Sequence, residues 1–126
     1  MNNNMLEFKL QSLNATRSTK PDFPDIVHEI YSAEDKIIPA GGRASIETDI
    51  SFTFPFGYYG LLLAIPELAI TYSIDIINSV VQSGENTIKV LLINNSKVDF
   101  VVYKGDIICH MIINKYIDPQ VFYCKI

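Results

Sequence analysis

The stretch of residues 89–113 most constrains what this chain can fold into. It reads KVLLINNSKVDFVVYKGDIICHMII and contains three runs rich in Val, Ile, Leu, Phe and Tyr. Such side chains favour β-strands, whereas the Asn, Ser, Asp and Gly residues between the runs favour turns. Asn94, Asn95 and Ser96 can hydrogen-bond their own backbone, and Gly105 can adopt the positive φ of a reversal. The stretch therefore predicts three strands in the central sheet of one compact β domain.

Strand signals continue along the rest of the chain. The longest is in residues 43–54, where Ala44, Ile46, Thr48, Ile50, Phe52 and Phe54 alternate on one face. Shorter runs predict strands at residues 5–10, 26–32, 36–39, 58–65, 74–81 and 87–93, with a hairpin tip at 82–86 and at most a helical turn at 68–71. This spacing predicts an all-β sandwich or jelly roll. We expect a single domain over residues 1–126, with 114–126 as an extended tail.

Composition excludes several classes of protein. Hydrophobic residues make up 48% of the 126 residues and charged residues 19%, as in a globular chain. The net charge of −4 argues against a nucleic-acid or anionic-membrane partner. No window has the length of a membrane span, and the first ten residues lack the features of a signal peptide. We expect an intracellular protein whose two cysteines, Cys109 and Cys124, are reduced thiols.

Three segments together resemble the homotrimeric dUTPase family. They read IYSAEDKIIPAGGRASIETDISFTFPFGYYG, LAITYSIDI and KVLLINNSKVDFVVYKGDIICHMII, within residues 27–113. Each segment alone is a weak signal, but their order and spacing make the set specific. The resemblance implies a distorted β jelly roll, assembled as a homotrimer or present as a monomer. The fold agrees with the strands predicted above.

The resemblance also implies where the family's catalytic motifs fall. The first motif's Asp falls on Glu29, the second motif's Arg and Ser on Ile65 and Pro66, the third motif's water-activating Asp on Gln82, and the fourth motif's Gln on His110. Glu67 adds a negative charge beside the second motif. The implied former active site therefore consists of Glu29, Ile65, Pro66, Glu67, Gln82 and His110.

These substitutions predict the loss of activity. Cleavage of a nucleoside triphosphate between its α and β phosphates needs a carboxylate to orient the water and cations to hold the phosphates. Gln82 is neutral, the family's Tyr that packs on the deoxyribose is missing, and its Gly-rich closing tail has no counterpart before Ile126. We expect a pseudoenzyme with no catalytic residues, metal or cofactor. The alternative is a divergent dUTP pyrophosphatase or a nucleotide binder without turnover.

Within this group the chain most resembles the catalytically degenerate adaptors of adenoviral early regions. That resemblance implies a viral early protein in the host-cell cytoplasm, membrane-associated through its partners, which binds host proteins and raises phosphoinositide 3-kinase signalling. The implied ligand for host PDZ domains is the carboxyl-terminal segment Tyr123, Cys124, Lys125 and Ile126. Strand addition to a PDZ sheet edge suits Ile126, whereas Cys124 stands where Ser or Thr is usual. A closing strand that packs on its own subunit or on a neighbouring one is an equal alternative, and a purely structural oligomer is a third.

Other constellations have simpler explanations. Asp25 and Glu29 suggest a metal pair, but a solvated or capping role is more common. The spacing of His28, Cys109 and His110 matches no closed zinc site, and Cys109 and His110 cannot form a nucleophile pair because strand neighbours point to opposite faces. Core or corner positions are favoured over a binding platform for the aromatic residues Phe52, Phe54, Phe56, Tyr58 and Tyr59.

Overall fold

The protein is described here by a computed structural model that covers residues 5–20, 26–77 and 79–125. Within these residues the chain forms eleven strands and one short helix, so the predicted all-β class is confirmed. The strands are β1 (Glu7–Leu10), β2 (His28–Tyr31), β3 (Lys36–Ile38), β4 (Arg43–Glu47), β5 (Ile50–Thr53), β6 (Tyr58–Leu63), β7 (Ile74–Ile76), β8 (Val80–Val81), β9 (Lys89–Asn94), β10 (Phe100–Val102) and β11 (Ile107–Lys115).

All strand pairs in the described residues are antiparallel and form four small sheets. Their orders are β2-β11-β6-β8, β4-β9-β7, β1-β5 and β10-β3. The inner faces of these sheets meet in one hydrophobic core, because alternate side chains of each strand point inward. Its fully buried members include Ile30, Ile38, Ile46, Phe52, Leu62, Val90, Leu92 and Met111.

The longest predicted strand is divided in two. β4 ends at Glu47 and β5 begins at Ile50, because Asp49 adopts a left-handed conformation with φ of 55°. Asp tolerates this region better than most residues. The predicted inward face is nevertheless retained, since Ile46, Thr48, Ile50 and Phe52 are all buried. Alternation therefore identified the correct face but not the break.

The stretch of residues 89–113 contains three strands as predicted, but they do not pair with one another. β9 lies between β4 and β7, β10 pairs with β3, and β11 lies between β2 and β6. The prediction of one central sheet was therefore wrong. The segments between these strands carry the chain from one sheet to another, which a local sequence pattern cannot reveal.

The run at residues 74–81 and the hairpin at 82–86 also differ from expectation. The run forms two strands in different sheets, β7 beside β9 and β8 beside β6. β8 and β9 therefore do not form a hairpin. The loop between them is instead tied to β5, because the Gly84 N–H donates to the Phe52 carbonyl at 3.0 Å and the Ile88 N–H to the Ile50 carbonyl at 2.8 Å.

The helix, α1 (Pro66–Tyr72), is longer than the predicted turn at residues 68–71. Pro66 does not interrupt the chain here but starts the helix, since proline lacks only an N–H that the first turn leaves unpaired. Ser73 ends the helix in a left-handed conformation with φ of 58°. The predicted reversal at Gly105 is confirmed by its φ of 89°.

Candidate functional site

Glu29 and His110 are directly opposite each other on the adjacent strands β2 and β11. On its other side, His110 is opposite Leu63, the last residue of β6. α1 begins three residues later at Pro66, with Ile65 as its N-cap. The structure therefore brings Glu29 and His110 together at one end of the four-stranded sheet. The chain leaves β6 at that same end and continues into the second-motif positions Ile65, Pro66 and Glu67.

A hydrogen-bond chain holds the Glu29 carboxylate. The Tyr31 hydroxyl donates to Glu29 Oε2 at 3.1 Å, and the Thr19 and Tyr31 hydroxyls are 2.6 Å apart. The backbone is fixed as well, since the Glu29 N–H donates to the Thr19 carbonyl at 2.7 Å. Asp25, the other member of the suggested metal pair, lies outside the described residues. The observed contacts thus fix the position of the Glu29 carboxylate.

Gln82 lies at the opposite end of β6. β8 runs antiparallel to β6 with Val81 opposite Gly60, so the next residue, Gln82, follows beside Tyr59. Tyr59 is four residues from Leu63, a distance of about 13 Å along a strand. Within one chain, the positions of the family's catalytic motifs therefore form two separate groups, one near His110 and one at Gln82.

Gln82 borders an open pocket of about 530 Å³, a volume typical of small-molecule sites. The lining combines three tyrosines with two polar side chains and one apolar residue: Tyr58, Tyr59, Tyr116, Gln82, Ser83 and Val80. The rings of Tyr59 and Tyr116 are 6.2 Å apart and tilted by 59°. The Tyr116 N–H donates to the Gly57 carbonyl at 2.8 Å and fixes this residue just beyond β11.

The predicted roles of the aromatic residues are confirmed only in part. Phe52 and Phe54 belong to the core, with ring centroids 5.8 Å apart, whereas Phe56 is fully exposed. Tyr58 and Tyr59 are half-buried and line the pocket rather than only the core. Tyr116 was not singled out because the extended tail was predicted to start at residue 114, although β11 continues to Lys115.

Cys109 is a core residue, as predicted. Its side chain is fully buried, and burial raises the pKa of the Cys109 thiol to about 12 because the thiolate would be desolvated. Such a thiol stays protonated and is a poor nucleophile or metal ligand near neutral pH. Among the described residues, no three His, Cys, Asp or Glu side chains come together in a way that could hold a metal ion.

Comparison with known proteins decides the family. Residues 20–124 match the family model described as dUTPase. This chain belongs to the dUTPase family. The deoxyuridine 5'-triphosphate nucleotidohydrolase of Saccharomyces cerevisiae is 38% identical to it over 90% of this chain and 78% of the relative. The protein of the same name from Oryza sativa subsp. japonica is 32% identical over 93% of this chain and 69% of the relative. The one from Paramecium bursaria Chlorella virus 1 is 35% identical over 75% of this chain and 67% of the relative.

Solved dUTPase structures support the same fold. The dUTPase of phage phi11 of S. aureus superposes with a TM-score of 0.89 at 19% identity and covers 97% of both chains. A dUTPase of Staphylococcus bacteriophage 80alpha gives a TM-score of 0.90 at 20% identity, over 97% of this chain and 97% of that chain. The predicted dUTPase-like jelly roll is therefore confirmed.

The prediction of a non-enzymatic adenoviral adaptor is wrong. The curated relatives described above are nucleotidohydrolases from a yeast, a plant and a Chlorella virus, and they align over most of this chain. The prediction gave too much weight to a lost general base, although phosphoryl transfer depends mainly on positioning and electrostatic stabilisation. Those comparisons offer no support for host-protein or PDZ partners either.

The carboxyl-terminal segment forms no strand in its described residues 116–125. Tyr123, Cys124 and Lys125 are exposed beyond the last strand, and Ile126 lies outside the described residues. No helix among the described residues has the length and apolar character needed to span a membrane.

Proposed function

We propose that this chain is a divergent dUTP nucleotidohydrolase that converts dUTP and water to dUMP and pyrophosphate. The observation that carries the proposal is the position of Gln82, which borders the tyrosine-lined pocket and occupies the sequence position of the family's water-activating Asp. The relatives from yeast, rice and the Chlorella virus are named deoxyuridine 5'-triphosphate nucleotidohydrolases, which supports dUTP as the substrate. The pocket is large enough for the nucleoside part of dUTP.

Gln82 can orient the attacking water although it cannot accept its proton. The water oxygen attacks the α-phosphorus while the bond from that phosphorus to the α–β bridging oxygen breaks. Pyrophosphate then leaves with the electron pair, and the proton of the water passes to solvent. A Gln orients the attacking water in several GTPases. Because a general base contributes about 100-fold or more, we expect slower turnover than with an Asp.

The separation of Gln82 from Glu29 and His110 supports an assembled site. Residues about 13 Å apart along a strand cannot surround one phosphate in a single chain. A second copy of the chain can supply the missing group, and a homotrimer provides three equivalent sites of this kind. Mg²⁺ enters with dUTP as part of the substrate, bound to its phosphates.

The proposal is tested by pyrophosphate release from dUTP with Mg²⁺. Gln82→Asp should raise the rate about 10-fold or more because it restores a base, and Gln82→Ala should lower it about 10-fold. Gln120→Ala, an exposed change in the carboxyl-terminal segment, is the matched control and should leave the rate unchanged. Equal rates for the wild type and Gln82→Ala would exclude a role for Gln82. If the wild type binds dUMP but releases no pyrophosphate from dUTP, the proposed reaction is wrong and the protein is a nucleotide-binding protein.

The shared site has its own test. Sedimentation should give a particle of three chains of 14.2 kDa. Gln82→Ala and His110→Ala chains, each slow alone, should regain activity when refolded together, because mixed trimers contain some sites in which neither variant residue is present. A monomer at assay concentrations, or no recovery on mixing, would contradict a site built from two copies.

A further inference from the structure

We propose that Tyr116 is the aromatic platform on which the uracil ring stacks in the pocket beside Gln82. The inference rests on the proposed function, since it takes a deoxyuridine nucleotide as the ligand. The family's Tyr that packs on the deoxyribose has no counterpart after Gln82 in this sequence. Tyr116, just beyond the end of β11, is a different aromatic residue that lines the pocket beside Gln82.

The position of Tyr116 is fixed while its ring stays accessible. Its N–H donates to the Gly57 carbonyl at 2.8 Å, and its ring packs against Tyr59 with centroids 6.2 Å apart. Tyr59 is held in turn, because Asn114 Nδ2 donates to its hydroxyl at 3.5 Å. The Tyr116 side chain is 46% exposed. A ring that is supported on one side and open on another suits the stacking of a flat base.

The other pocket residues complement the edges of such a ligand. The Gln82 carboxamide orients the attacking water in the proposed reaction, so the contacts to the base come from the neighbouring Ser83 and Val80. Ser83 Oγ accepts from the Phe54 N–H at 2.8 Å, which leaves the hydroxyl proton of Ser83 to donate to the ligand. Val80 is 56% exposed and adds an apolar surface. The pocket therefore combines a stacking surface with a small number of polar groups.

Calorimetric titration of the full chain with dUMP tests the inference. Stacking on an aromatic side chain contributes enough that Tyr116→Ala should raise the Kd of dUMP about 10-fold. Tyr116→Phe keeps the ring and should change the Kd less than about twofold. Tyr123→Ala removes a tyrosine that is 90% exposed in the same carboxyl-terminal segment and should have no effect. A titration with deoxyribose 5-phosphate, which lacks the base, should be insensitive to Tyr116→Ala.

Several outcomes would overturn the inference. These are no dUMP binding by the wild type, an unchanged Kd in Tyr116→Ala, or an equal loss in Tyr116→Phe. If Tyr116→Ala unfolds, Tyr116→Leu keeps the apolar volume without the flat ring and should still weaken dUMP binding. The proposed hydrolysis can be contradicted independently. If dUMP binding depends on Tyr116 but no pyrophosphate is released from dUTP, the proposed reaction is wrong and the role of Tyr116 in binding stands.

Discussion

Asn94 joins two distant parts of the chain, because its Nδ2 donates to the Ile38 carbonyl, 56 residues earlier, at 3.0 Å. The same nitrogen donates to the Val98 carbonyl at 2.8 Å, and Asn94 Oδ1 accepts from the Ser96 N–H at 2.9 Å. The side chain is fully buried. One amide group therefore closes the turn after β9 and holds β3 against it.

We expect Asn94→Ala to lower the free energy of unfolding by about 3 kcal/mol, because it leaves buried backbone groups without partners. Urea denaturation gives this value from the transition midpoint and slope. Asn95→Ala is the control, since Asn95 is exposed and its backbone N–H, which the substitution keeps, donates to the Ser73 carbonyl at 3.0 Å. That variant should stay within about 0.5 kcal/mol of the wild type. Equal effects of the two changes would show that the Asn94 side chain does not stabilise the fold.

Gly60 is required for close packing beside the pocket. An added Cβ would lie 2.7 Å from Met111 Sδ and 2.8 Å from Phe54 Cζ, both in the core. Gly60→Ala should therefore destabilise the protein by about 1–3 kcal/mol through overpacking. The matched change Gly84→Ala meets nothing within 4 Å and should be nearly neutral. Thermal unfolding of both variants makes the comparison, and a Gly60→Ala protein as stable as the wild type would contradict this packing.

Cys109 should make stability depend on pH in alkaline solution. Burial raises the pKa of its thiol from 9.0 to about 12, so the folded state holds the proton more tightly than the unfolded state. The resulting stabilisation is fully present below pH 9.0 and is lost as the pH rises towards about 12. Denaturation of the wild type and Cys109→Ala between these pH values measures the loss, which should be smaller in the variant. Parallel pH profiles would contradict the shift.

The two cysteines should also differ in reactivity. Cys109 is buried and Cys124 is exposed, so the native protein at pH 8 should take up one iodoacetamide per chain and the unfolded protein two. Cys124→Ser should abolish the reaction of the native protein. Mass spectrometry counts the adducts, and rapid labelling of two thiols in the native state would show that Cys109 is accessible.

Phe52 and Phe56 offer a matched pair within the same five-residue run. Phe52 is buried and stacks on Phe54, whereas Phe56 is fully exposed. Phe52→Ala should cost about 3–5 kcal/mol because it creates a cavity, and Phe56→Ala should change stability by less than about 0.5 kcal/mol. Chemical denaturation distinguishes them. A large loss for Phe56→Ala would instead indicate that Phe56 packs against another copy of the chain.

Much of the candidate site could be located from the sequence, but its composition could not. The motif pattern identified Gln82, which borders the pocket, and Glu29 and His110, which lie opposite each other. Tyr116 was missed because it carries no motif and comes from the end of β11, far from Gln82 in sequence. Only strand pairing brings the end of β11 and the start of β6 beside the end of β8. Tyr116 and Tyr59 therefore lie next to Gln82, which follows β8.

The sequence by itself determined the β class, the inward faces and the turns that use a special residue. These features depend on neighbouring residues: the alternation through Ile46, Ile50 and Phe52 and the positive φ of Gly105 follow from side-chain direction and backbone sterics. The tertiary structure alone decided that the strands of residues 89–113 lie in three sheets and that Tyr116 joins Gln82. Those arrangements depend on which distant strands bury each other, and a local pattern does not contain that choice.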